Sequence, residues 1–122
     1  MIGYVTLGTN DLARGAKFYD ALAAEMGTGR MMEEDGFIAW GTPGGGAGIG
    51  LTVPYNGEPA CVGNGTMGGF DFESREAVDA FHAKALALGG TCEGAPGERM
   101  PGAYFAYFRD LDGNKLCGYK FG

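Results

Sequence analysis

Leu12, Ala16, Tyr19, Leu22, Ala23 and Met26 recur at three- and four-residue intervals, so the spacing predicts one apolar helix face. Thr9-Asn10-Asp11 supplies capping side chains and early negative charge at its start, and Gly27 stands where a helix-ending glycine belongs. Before this helix, residues 2–7 alternate weakly and contain Tyr, Val and Thr, which predicts a strand. After it, residues 29–34, 36–41 and 47–53 read as three short strands. Asp35-Gly36 is a good hairpin turn, and Thr42-Pro43-Gly44-Gly45-Gly46 makes a looser connection. Residues 54–65 are rich in turn formers and divide the chain.

The second half repeats that order. Residues 66–72 predict a strand, and Ser74 caps a helix whose face carries Val78, Phe81, Ala85 and Leu88 and which ends at Gly89-Gly90. Strands are expected near 91–95, 103–109 and 115–121, the last two joined by Asp110-Leu111-Asp112-Gly113-Asn114. A shift of 63 places Phe18 on Phe81, Ala24 on Ala87, Gly27 on Gly90 and Thr28 on Thr91, and it carries Tyr4 onto Met67. The repeated order of elements is stronger support for two modules than these few identities.

Composition narrows the classes. The 122 residues allow one domain with a real core. Fifteen acidic against nine basic residues give a net charge of −6, which argues against a nucleic-acid partner. No apolar run approaches the ~18 residues of a membrane helix, and the start lacks a signal-peptide pattern. The expectation is a cytoplasmic protein with no membrane partner. Three cysteines without a C-x-x-C spacing read as reduced thiols. The single histidine, His82, excludes a two-histidine metal site. It lies at the edge of its helix's apolar face, where a structural role outweighs a catalytic one. Gly is abundant, 25 residues, as short strands and tight turns require.

Two motifs look like chemistry and are better explained by folding. Asp110-Leu111-Asp112-Gly113-Asn114 starts like a calcium loop, but its glycine is at the fourth position and Phe121 occupies the twelfth, where a bidentate Glu is needed. Gly46-Ala47-Gly48-Ile49-Gly50 precedes a strand instead of opening a helix and lacks the Lys-Ser/Thr of a phosphate loop.

The paired βαβββ modules resemble the vicinal oxygen chelate superfamily, the group of glyoxalase I, extradiol dioxygenases, and fosfomycin- and bleomycin-resistance proteins. The resemblance spans nearly the whole chain. It is carried by Tyr4-Val5-Thr6-Leu7, Asn10-Asp11-Leu12, Phe18-Tyr19 and Phe108-Arg109-Asp110-Leu111-Asp112-Gly113-Asn114-Lys115-Leu116. It implies an α+β fold in which residues 1–122 form one domain, with modules at about 1–55 and 65–122. The two modules would form a cupped, mixed eight-stranded sheet with helices outside, usually in a homodimer. It also implies a divalent metal in the cup, held at positions that here look like Tyr4, Met67 and Cys117. A phenol, a thioether and a lone thiol are poor donors for hard cations, and Glu33 and Glu34 are on the wrong strand of the pattern. The expectation is therefore a metal-free site without a cofactor.

The expected ligand-binding residues are Tyr4, Thr6, Trp40, Met67 and Cys117. Strand alternation puts Thr6 on the face of Tyr4. Tyr4 reads as an aromatic wall with a hydroxyl handle, and Cys117 as a pocket-wall thiol with no histidine to activate it. Trp40 has two open readings, stacking on a ligand at the rim or packing in the core or a dimer. Met31, Met32 and Met67 read as adaptable apolar surface. Three functions follow: a non-catalytic binder of a small molecule; a metal-dependent lyase, isomerase or dioxygenase with unusual ligands; or a structural dimer with no ligand.

Overall fold

Capping side chains start both helices. Thr9 Oγ1 accepts the Asp11 amide at 3.1 Å, and extended Asp11 accepts the Arg14 amide at 3.0 Å, opening α1 (Leu12–Glu25). Gly27, at φ 73°, turns the chain out so that the Thr28 amide reaches the Ala23 carbonyl at 3.0 Å. Ser74 Oγ accepts the Ala77 amide at 3.1 Å to open α2 (Arg75–Ala87), and Gly89 ends it as Gly27 ends α1. The computed structural model describes residues 1–122, which divide into two units, Met1–Val62 and Gly63–Gly122.

In the first unit, β1 (Tyr4–Gly8) runs parallel to β4 (Gly48–Thr52), which pairs antiparallel with β3 (Phe37–Gly41), and β3 with β2 (Gly29–Glu34). The sheet order is β1-β4-β3-β2. The second unit repeats this with β5 (Gly68–Asp71), β6 (Thr91–Met100), β7 (Ala103–Arg109) and β8 (Lys115–Phe121) in the order β5-β8-β7-β6. The fold is α+β, two βαβββ modules with eight strands in two mixed four-stranded sheets.

The departures from the sequence reading are local. The strand expected at 91–95 continues to Met100, because three register shifts, at Glu93, at Ala95–Pro96 and at Arg99, keep it paired to β7, and an edge strand leaves the amide that proline lacks unneeded. The strand expected from residue 66 begins at Gly68, which leaves Met67 just outside it. The internal repeat is offset by 63 at the helix starts (Asp11, Ser74). It is offset by 62 at their ends (Gly27, Gly89), because α2 is one residue shorter.

Each helix covers one face of its own sheet. In the first unit α1 lies on β2, β3 and β4, and Tyr19, Leu22, Ile38, Trp40, Ile49 and Leu51 are buried. The Trp40 ring lies 5.3 Å from that of Tyr19, and its Nε1 donates to Asp20 at 2.8 Å. The same carboxylate takes two hydrogen bonds of 2.9 Å from Arg30 of β2, which also pairs with Glu33 at 2.7 Å. The Arg30 guanidinium holds the Asp20 carboxyl below the usual carboxylate range, with the Trp40 donor helping against the opposing effect of burial. In the second unit Phe81 packs against Phe70, Phe72 and Phe108 under α2. Asp110 Oδ1 accepts the amides of Asp112 and Asn114 at 2.9 and 2.8 Å, which fixes the turn before β8 as a hairpin device.

His82 is buried beside Phe108, and its Nε2 has no hydrogen-bond partner. Burial pushes its pKa down, opposed by the Tyr107 backbone and the charge of Asp79.

Two expectations follow. Asp20→Ala strands the Trp40 N–H and should cost about 1–3 kcal/mol in urea denaturation. Arg30→Ala, which removes only a partly exposed ion pair, should cost below about 1 kcal/mol. Because His82 binds a proton less readily folded than unfolded, its contribution is complete above about pH 6.5 and is lost as pH falls below that value. His82→Phe should flatten that acid limb of a stability-against-pH curve; an unchanged limb would refute the assignment.

Candidate functional site

The face of the first sheet turned away from α1 is built by alternation and by absent side chains. Ile38 and Trp40 point to the helix, so Phe37 and Ala39 point away from it. On β4, Ile49 and Leu51 are buried while Gly48 and Gly50 take the open face. A Cβ at Gly50 would sit 2.7 Å from the Phe37 ring and 3.3 Å from Thr6 Cγ2. A Cβ at Gly48 would meet Met31 Sδ at 3.1 Å. Glycine at these two positions lets Phe37 and Met31 lie flat on the backbone.

The result is an apolar recess of about 120 Å³ lined by Gly3, Tyr4, Met31, Met32, Phe37 and Ala39. A bulge between Arg30 and Met32 brings both neighbouring methionines into it. The lining has one hydroxyl, on Tyr4, and no imidazole or carboxylate. Tyr4 is 63 % exposed, so its ring forms a wall with both edge and hydroxyl in solvent.

The expected site residues fall in different places. Tyr4 lines the recess. Thr6 lies on the same face, against the Gly50 backbone, outside the lining. Trp40 does not stand at a rim. Alternation turns it under α1, where it is 2 % exposed and bonded to Asp20, so its place is the core. Met67 and Cys117 belong to the second unit. Met67 is exposed just ahead of β5, and Cys117 is 1 % exposed, opposite Gly69 and Tyr107 in the sheet register.

Sequence reasoning missed Met31, Met32, Phe37 and Ala39 as site residues. Their signal was available in Gly48-Ile49-Gly50-Leu51, where alternate glycines announce a sheet face without side chains of its own.

The donor chemistry at Tyr4, Met67 and Cys117 does not fit a hard divalent ion. Burial pushes the Cys117 thiol up, away from the thiolate a metal needs, with smaller opposing effects from the Phe70 backbone and Lys115. Glu33 is engaged by Arg30. No group of three or more His, Cys, Asp or Glu side chains gathers in the chain.

A model of the Glyoxalase/Bleomycin resistance protein/Dioxygenase superfamily matches residues 1–117. A crystal structure of a glyoxalase/bleomycin resistance protein from Albidiferax ferrireducens T118 is 44 % identical, with a TM-score of 0.89 over 98 % of this chain and 97 % of that one. A glyoxalase/bleomycin resistance protein/dioxygenase family enzyme from Burkholderia phytofirmans PsJN is 22 % identical, with a TM-score of 0.79 over 98 % of both chains. A glyoxalase-related enzyme from Fulvimarina pelagi is 18 % identical, with a TM-score of 0.77 over 98 % of this chain and 86 % of that one. The last two likenesses speak for the fold alone. No curated protein matches the chain. With the βαβββ order present twice and the family model matching nearly end to end, the chain belongs to the glyoxalase/bleomycin resistance protein/dioxygenase superfamily.

Proposed function

We propose that the protein binds a small, largely apolar molecule without a metal, on the open face of its first sheet. The observation that carries this reading is the recess of Tyr4, Met31, Met32, Phe37 and Ala39. Its walls are carbon and sulfur, with one hydroxyl to orient a ligand. Two thioethers can adjust to ligands of different outline. Nothing in the lining can act as a general base or hold a hard cation, which favours binding over turnover. Within this proposal the protein is a cytoplasmic homodimer, a reading supported by family membership and, for the dimer, by the exposed apolar residues Ile2 and Val5 outside the recess. No helix is long and apolar enough to cross a membrane.

The test uses indole as a neutral probe with methyl-labelled methionine. Indole should shift the Met31 and Met32 methyl signals and leave that of Met100, outside the recess, in place. Tyr4→Ala should weaken binding about three- to tenfold, or roughly 0.6–1.4 kcal/mol. Protein purified without chelator should carry well under one divalent ion per chain and show no rise in Tm with added metal. Unmoved Met31 and Met32 signals, or a stoichiometric metal, would overturn the proposal.

A further inference from the structure

The bulge in β2 puts two thioethers on one face of the first sheet. Arg30 stands opposite Trp40 and reaches Asp20 of α1, so it is on the helix side. Strict alternation would then send Met31 to the open face and Met32 back under the helix. The register instead steps between Arg30 and Met32, which sets Met32 opposite Ala39 on the open face, and Glu33 resumes opposite buried Ile38. Of the six methionines, Met31 and Met32 alone line the recess.

These two side chains are placed for chemistry as well as for contact. Met31 Sδ rests on bare backbone, where a Cβ at Gly41 or Gly48 would come within 2.9 or 3.1 Å of it. That flank of the sulfur is closed, so an oxygen atom added to it projects away from the backbone. Met31 is 42 % and Met32 49 % exposed, so a small dissolved oxidant reaches both without unfolding the sheet. The lining holds no thiol to consume the oxidant first.

We infer that Met31 and Met32 form an oxidant-sensitive pair that turns the recess from apolar to polar, an inference that rests on the binding function proposed above. The oxidant is hydrogen peroxide. A thioether lone pair attacks one peroxide oxygen, and the O–O bond breaks as the S–O bond forms. The departing hydroxide takes the proton from the new S–OH, leaving methionine sulfoxide and water. Sulfur loses two electrons and the peroxide gains them, so no other reactant is needed. The product is a polar side chain in place of an apolar one. Closing an apolar ligand over it strips water from the S–O acceptor, so the oxidised recess rejects the ligand that the reduced one holds.

The experiment titrates indole before and after hydrogen peroxide treatment, with peptide mass spectrometry following each sulfoxide. Oxidation should weaken indole binding at least about fivefold. The loss should keep step with sulfoxide in the peptide carrying Met31 and Met32, and not with that at exposed Met100. Methionine sulfoxide reductases should restore the affinity. Met31→Leu with Met32→Leu, compared with itself before and after peroxide, should show no sensitivity, whereas Met100→Leu should keep it. Retained affinity with Met31 and Met32 fully converted, or their survival while Met100 is oxidised, would overturn this inference alone. Absence of indole binding in the untreated protein would overturn the binding function, and the switch with it.

Discussion

One helix can cover only one face of a four-stranded sheet, and each unit of this protein has one helix. Everything apolar on the covered face is spent on the core: Trp40, Ile49 and Leu51 beneath α1; Phe108 and Leu116 beneath α2. The opposite face must be made from what alternation leaves. In the first unit that is glycine, alanine and adaptable methionine, and in the second it is aromatic rings. The same connectivity, with the same helix-ending turns, therefore presents two chemically different surfaces. Family membership accounts for the connectivity; the difference between the surfaces belongs to this sequence.

The elements were legible because their signals are local. Asp11 and Ser74 at helix starts, Gly27 and Gly89 at helix ends, and the Asp110–Asn114 turn each act within a few residues. What was not legible depends on pairing. Whether Trp40 faces a helix or a ligand turns on one step of strand parity, and parity is fixed only when Ile38 and Trp40 are seen opposite Leu51 and Ile49. Likewise β6 could not be followed past residue 95, because its bulges are defined against β7 and not by its own pattern. The recess is a further case: its methionines come from β2 and its tyrosine from β1, elements separated in sequence by the whole of α1.

The charged residues divide along the same lines. Asp20 ties helix, edge strand and core tryptophan together through one carboxylate, so it acts as a structural joint. His82 does the reverse, adding a buried ring nitrogen that the fold leaves unmatched. Cys117 lies in the second sheet where the first has Gly50, a thiol deep in an apolar layer with no base beside it. None of the three has the surroundings of a reactive group.

The placement of Trp40 also makes the protein its own optical instrument. It is the only tryptophan, it is buried, and it belongs wholly to the first unit, whereas the second unit has none. Emission excited at the red edge of the indole band therefore follows the first half of the chain. The loss of order in that half can be timed in the unmodified protein, with no label introduced.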